Sequence, residues 1–249
     1  MCRMLGIIAR KSIDQKVLAE FRGLADKGKT PKDFGCAQIS TRVGHPDGWG
    51  IACVAGDGRA VYRRGAVKAT DDPLFEAAAR EVGELASPPF FLIAHLRRSS
   101  TRDTTREEFN HPFMREVKGR PIFFAHNGNI EGFGTRDGKI DSQFLFEHLL
   151  SAVDETPLSS SEFAAKVKDV KAAIAAEFGK KITSLTFLMS DGREIVAHRD
   201  ARQCKPYYSL HQAGTADSLI VCSEVLTSVQ ANWRLLRNNE TVAMSPASI

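Results

Sequence analysis

The second residue is a cysteine, Cys2, directly behind Met1. Its side chain is small enough for the initiator methionine to be removed, which would put a thiol and a free α-amine on one residue. Reference pKa values of about 8.5 for the thiol and 7.7–8.0 for the amine let the amine take the thiol proton near neutrality. One residue would then supply both nucleophile and base. Read alone, the same cysteine is an incidental residue near a chain end.

Three other groups complement that thiol. Ala94-His95-Leu96-Arg97 ends an apolar run with a guanidinium, whose planar fork suits a carboxylate; a solvated arginine at a strand end looks the same. Ala125-His126-Asn127-Gly128-Asn129 offers an amide donor and a residue without Cβ, so a backbone N–H can approach a developing oxyanion. Asn-Gly is also the signature of a type I′ turn. Asp141 can hold an amino group or cap a helix. Thiol, amide, arginine and aspartate together describe a site for a free α-amino acid whose side-chain carbonyl is attacked by a thiolate.

Other chemistries find less support. The five cysteines, at positions 2, 36, 53, 204 and 222, are odd in number and widely spaced, which argues against a disulfide framework and a structural zinc site. The seven histidines include no HExxH spacing, so no metal is expected. A phosphate-binding GxxxxGK[ST] or strand-following GxGxxG is absent. Thirty-four basic against thirty acidic side chains leave +4, and the densest basic stretch, Arg97 to Arg120, is interrupted by Asp103, Glu107, Glu108 and Glu116, unlike a nucleic-acid stripe. No apolar run approaches the roughly 20 residues that span a bilayer, and no secretory signal is recognisable. The expectation is a cytoplasmic protein that binds neither nucleic acid nor membrane.

Short apolar runs supply the elements that must position these groups. Strands are predicted over Met4–Ile8, Trp49–Val54, Phe90–His95, Ile122–His126, Leu185–Ser190, Glu194–Arg199 and Leu219–Ser223, with Asp191-Gly192 joining two of them as a hairpin. Runs as continuous as Phe90-Phe91-Leu92-Ile93-Ala94 imply strands covered on both faces. Helices are predicted from Pro73 to Leu85 with Asp72 as cap, from Asp141 to Val153 with Asp141 as cap, and through Phe163, Val167, Val170, Ile174 and Phe178 to a stop at Gly179, with Ser159 and Glu162 as a capping box. The long segment between His95 and Ile122 reads as an ordered functional loop. The whole reads as a single domain, residues 1–249, of mixed α and β layers.

Taken in order, Met1-Cys2-Arg3-Met4-Leu5-Gly6, His45-Pro46-Asp47-Gly48-Trp49-Gly50, Ala94-His95-Leu96-Arg97, His126-Asn127-Gly128 and Ile140-Asp141-Ser142 resemble a class II glutamine amidotransferase of the N-terminal-nucleophile hydrolase superfamily. His198-Arg199-Asp200, Lys205-Pro206-Tyr207 and Cys222-Ser223-Glu224-Val225-Leu226-Thr227 extend the resemblance to about residue 230. Asp47-Gly48-Trp49-Gly50 and Asn110-His111-Pro112-Phe113 are similar to the small stand-alone, YafJ-like members. The resemblance implies an α+β fold, a four-layer αββα sandwich of two mainly antiparallel sheets. It implies Cys2 as nucleophile, Asn127 and the Gly128 N–H as oxyanion hole, and Arg97 and Asp141 as partners of the glutamine carboxylate and ammonium. Ser100 and His126 are further substrate contacts on the same ground. Arg98 and Gln143 depart from the family pattern and bear on substrate preference.

The implied reaction is thiolate attack on a γ-carboxamide, release of ammonia and hydrolysis of the γ-glutamyl thioester, with no cofactor. Since the chain ends soon after the matched segments, the expectation is either a separate synthase chain that uses the ammonia or a plain amidohydrolase acting on glutamine or a γ-glutamyl compound. The rival readings are an amidohydrolase acting on a larger γ-glutamyl compound and a non-catalytic amino-acid-binding regulator.

Overall fold

A computed structural model describes residues 2–36, 43–99, 104–151, 153 and 157–249. In chain order its strands begin with β1 (Arg3–Ala9), β2 (Trp49–Val54), β3 (Ala60–Gly65), β4 (Phe90–Leu96), β5 (Phe113–Val117) and β6 (Arg120–Asn127). A short hairpin, β7 (Thr135–Arg136) and β8 (Lys139–Ile140), precedes β9 (Thr186–Ser190), β10 (Ile195–Arg199), β11 (His211–Gly214), β12 (Ser218–Cys222), β13 (Arg234–Leu235) and β14 (Glu240–Met244). The helices are α1 (Gln15–Lys27), α2 (Pro73–Gly83), α3 (Asp141–Leu150) and α4 (Ser161–Phe178).

The strands form two large sheets, ordered β13-β11-β12-β1-β4-β2-β3 and β14-β10-β9-β6-β5. Neighbours within both are antiparallel. Successive side chains of a strand point to opposite faces, and both faces here are covered. From β1, Leu5 and Ile7 meet Val17, Phe21 and Phe75 of α1 and α2. From the same strand, Met4 and Ile8 meet Phe123, Leu188 and Ile195 of the second sheet. On that sheet's far side, Phe124, Phe187 and Val196 pack under Phe146 of α3 and Phe163, Val167 and Ile174 of α4. Three apolar layers between helix, sheet, sheet and helix make an αββα sandwich. This is the α+β fold expected, and it explains why the strands read as unbroken apolar runs.

Local chemistry sets the element ends. Asp72 Oδ1 caps α2 by accepting from Leu74 N at 3.0 Å, while Oδ2 accepts from Trp49 Nε1 at 2.9 Å. One carboxylate therefore ties α2 to β2. Asp191 Oδ1 accepts from Arg193 N and Glu194 N, and Gly192 takes φ +76°, closing the β9–β10 hairpin as expected. Two caps differ from expectation. Ser160, not Ser159, caps α4, accepting from Phe163 N at 3.1 Å, because Ser159 N is drawn to Glu194 Oε1 at 2.9 Å. Asp141 is the first residue of α3 rather than its cap, and the cap position falls to Ile140. The helix α1 was not predicted, although Asp14 caps it through Lys16 N and Val17, Leu18, Phe21 and Leu24 mark its buried face.

The expectation against disulfides is also corrected: Cys36 and Cys204 are bonded. They lie 168 residues apart in sequence, a pairing that spacing could not disclose. The segment between β4 and β6 is ordered where described, with a 3-10 turn at Glu107–Phe109 and then β5. Among the described residues no helix is long and apolar enough to cross a membrane.

Candidate active site

Cys2, Arg97 and Asn127 meet because β1 and β4 are neighbours and β6 packs across from them. Cys2 immediately precedes β1, Arg97 follows the last residue of β4, and Asn127 is the last residue of β6. The pairing Arg3↔Leu96 puts the start of β1 beside the end of β4. The Cys2 nitrogen donates to Asn127 Oδ1 at 2.8 Å, a contact between residues 125 apart in sequence. That bond fixes which way the amide faces. Asn127 Nδ2 is then left buried without a hydrogen-bond partner.

The Cys2 thiol lies 3.9 Å from the Arg98 carbonyl oxygen. Burial pushes its pKa up, but the positive chain terminus, His95 and the Arg98 backbone outweigh burial and hold it at about 5. A thiolate is the nucleophilic form of cysteine, so this position is prepared for attack at neutral pH.

Gly128 follows with no room for a side chain, since a Cβ there would collide with the Ser184 carbonyl. Neither Asn127 nor Gly128 takes the positive φ of a type I′ turn. The pair ends a strand instead of reversing it.

The backbone of Arg97 is pinned by the His45–Gly50 motif. Arg97 N donates to Gly48 O at 2.8 Å, Asp47 N to Arg97 O at 3.0 Å, and Ser99 N to Asp47 Oδ2 at 2.7 Å. Gly48 must be glycine, because φ is +127° and a Cβ would strike the Asn110 side chain. The Arg97 guanidinium donates to the Thr104 carbonyl, to Thr104 Oγ1 at 3.1 Å and to Ser99 Oγ at 3.4 Å. Ser100 lies outside the described residues.

Asp141 faces the same cleft. Its Oδ2 accepts from Ile130 N at 2.7 Å and its Oδ1 from Ser142 N at 2.7 Å. His126 is buried, and burial holds its pKa below the usual histidine value. The neutral ring has Nε2 3.2 Å from the Ser184 carbonyl oxygen, which can only accept, so Nε2 carries the proton. Nδ1 therefore accepts from Ser142 Oγ at 2.8 Å. Both nitrogens of His126 are engaged by the protein, and its ring braces Gly128 and α3. Ser142 and Ser184 belong to this arrangement and were not predicted; Ser142 sat inside a quoted motif, whereas Ser184 had no sequence signal.

Cys2, Arg97, His126, Gly128 and Asp141 line one cavity of about 30 Å³. That is room for about one water. A larger cavity of about 330 Å³ adjoins it and shares Arg97, Asn129, Ile140 and Asp141. An amino acid with its side-chain carbonyl at Cys2 must place its α-carbon groups toward this second space.

Residues 1–213 match the family model of glutamine amidotransferases class-II. The chain is 28% identical over 207 residues to YafJ of Escherichia coli (strain K12), which carries a glutamine amidotransferase name; the match covers 80% of this chain and 72% of that protein. Among solved structures, the chain is similar to the glutamine phosphoribosylpyrophosphate amidotransferase of B. subtilis, with a TM-score of 0.65 at 17% identity. That match covers 99% of this chain but 48% of the other, so the chain spans about half of that enzyme's length. A glutamine aminotransferase class-II domain protein from Silicibacter pomeroyi matches with a TM-score of 0.59 at 18% identity, covering 97% of this chain and 94% of its own. At these identities the structural matches speak to the fold.

Proposed function

Because the chain belongs to the class II glutamine amidotransferases, we propose that it cleaves the γ-carboxamide of glutamine at Cys2, releasing ammonia and glutamate. One observation supports this reading above the rest: the Cys2 nitrogen holds Asn127 Oδ1 at 2.8 Å and leaves the buried Asn127 Nδ2 a donor without a partner. A donor held ready where no ground-state partner exists suits an oxyanion that forms only during reaction. The thiolate adds to the γ-carbonyl, and the carbonyl electron pair moves to the oxygen facing Asn127 Nδ2 and Gly128 N. Collapse expels the nitrogen as ammonia, and water then hydrolyses the thioester. Arg97 and Asp141 hold the α-carboxylate and α-ammonium.

The ammonia acceptor is proposed to be a separate chain. Cytoplasmic residence belongs to the same proposal. It would make the Cys36–Cys204 pair an exchangeable thiol–disulfide couple rather than a permanent tie, since cytosolic thiols keep most such pairs reduced.

The deciding measurement is release of ammonia and glutamate by the purified protein from glutamine and from γ-glutamyl amides of larger amines. Equal yields of the two products from glutamine are expected, with intact mass showing a chain that starts at Cys2. Turnover of only the larger amides would make the protein a γ-glutamyl amidohydrolase. Glutamine binding without turnover would make it a regulator.

Arg97→Ala and Asp141→Ala are each expected to raise KM for glutamine strongly. Removing one partner of a desolvated charge pair costs about 2–5 kcal/mol. Asp141 also satisfies two backbone N–H groups, and the buried Arg97 guanidinium holds the Thr104 carbonyl and hydroxyl, so both variants should lose stability as well as raise KM. Steady-state kinetics beside a denaturation curve separate the two contributions, and unchanged KM and kcat in both variants would refute the recognition scheme.

A further inference from the structure

His111 has no part in the chemistry above. Its backbone is fixed from β3, the outer strand of the first sheet. Asn110 Nδ2 donates to Gly65 O at 2.7 Å, Arg64 Nη1 to Asn110 O at 3.0 Å and the Tyr62 hydroxyl to Pro112 O at 2.9 Å. Gly50 of β2 completes the fit, since a Cβ there would strike the His111 carbonyl. The His111 ring is buried against two others, with its centroid 4.3 Å from that of His95 and 4.2 Å from that of Phe113. Among the described residues neither of its nitrogens has a hydrogen-bond partner, although buried polar atoms are nearly always paired.

The same ring lines the cavity of about 30 Å³ at Cys2, which has room for about one water. Burial, with Arg97 and Arg64 nearby, holds its pKa well below the usual histidine range. It is therefore a neutral imidazole at pH 7, with one N–H donor and one lone pair. The charged groups of glutamine are assigned to Arg97 and Asp141, and the oxyanion to Asn127 and Gly128. The water that must cleave the thioester has no partner among these, and it must reach the carbonyl carbon bonded to Cys2. A ring nitrogen that accepts one water hydrogen leaves the oxygen lone pairs free to attack.

We propose that His111 holds the water that hydrolyses the γ-glutamyl thioester; this rests on Cys2 being acylated by glutamine. The water oxygen bonds to the γ-carbonyl carbon and keeps one hydrogen. The carbon–sulfur bond breaks with its electron pair on sulfur, and the other water hydrogen goes to that sulfur as a proton. Glutamate and the Cys2 thiol are the products. His111 neither gains nor loses a proton over this step; it orients the water by hydrogen bonding. The role belongs to the second half-reaction alone, because the first, thiolate attack and loss of ammonia, uses no water.

The test is a rapid-quench measurement of ammonia, glutamate and the γ-glutamyl adduct on Cys2, the last by intact mass, in wild type, His111→Leu and His111→Gln. In the wild type ammonia and glutamate should appear together. In His111→Leu one ammonia per site should be released at close to the wild-type rate, with glutamate following up to about 10²-fold more slowly, the cost of a reactant about 1 Å out of place. The adduct should then accumulate. The side-chain amide in His111→Gln also offers a donor and an acceptor, and it should restore most of the hydrolysis. A packing role for His111 would slow both half-reactions alike, or lower stability with no accumulated adduct, and either result overturns the proposal. If the leucine variant does not fold, His111→Asn, whose amide stops short of the imidazole's reach, is read in the same way: accumulated adduct supports the proposal and its absence overturns it. Wild-type protein that releases no ammonia from glutamine would instead overturn the function on which the proposal rests.

Discussion

Cys2→Ala should reduce glutamine turnover to background while the protein stays folded. The thiol contributes little to packing that alanine cannot replace, but it alone among the cysteines is chemically prepared. Burial pushes Cys53 and Cys222 up to about 12, whereas Cys2 is held at about 5. At pH 7 the thiolate populations then differ by about 10⁵-fold, and thiolate is the reactive species. Cys36 and Cys204 are bonded to each other. A glutamine-analogue electrophile should therefore label the Cys2 peptide, as read by mass spectrometry after digestion. Alanine at positions 36, 53, 204 or 222 should leave most of the activity. Label on one of those four with Cys2 spared would remove the nucleophile assignment.

Asn127→Ala should lower kcat by about 10²–10³-fold, the usual cost of losing one oxyanion donor. Its Nδ2 has no partner to lose in the ground state, so KM should change much less; an interaction made only in the transition state appears in kcat. The alternative role, as a turn residue, predicts lower stability with near-normal turnover per folded molecule. Kinetics on active-site-titrated enzyme, set beside a denaturation curve, distinguish these outcomes. That neither Asn127 nor Gly128 takes a positive φ already weighs against the turn. Gly128 should still donate its backbone N–H in the variant, which is why the loss should be partial and not complete.

Much of the fold was determined locally and is therefore legible in the chain. Phe90 to Ala94 is apolar at every position and Phe187 to Met189 likewise, and a strand buried on both faces demands that. Asp72-Pro73 opens α2 as expected, and Asp191-Gly192 closes a hairpin, because caps and turns depend on residues two or three apart. The ordered motifs carrying Cys2, Arg97, Asn127, Gly128 and Asp141 likewise identify the family, since their chemistry is written in residue types.

Tertiary structure decided what depends on groups distant in sequence. The direction of the Asn127 amide is set by a nitrogen 125 residues away, and from sequence Asn-Gly reads equally as a turn. The Cys36–Cys204 bond joins positions with no tell-tale spacing. Ser160 replaced Ser159 as a cap because Glu194, on the β9–β10 hairpin, competes for Ser159 N. His95 and His111 read as motif members, but their ring contact at 4.3 Å and the unbonded His95 Nδ1 and His111 nitrogens exist only once the two sheets are packed together. Residue type and short-range spacing determine which groups are available; the packing of one sheet on the other determines which of them touch.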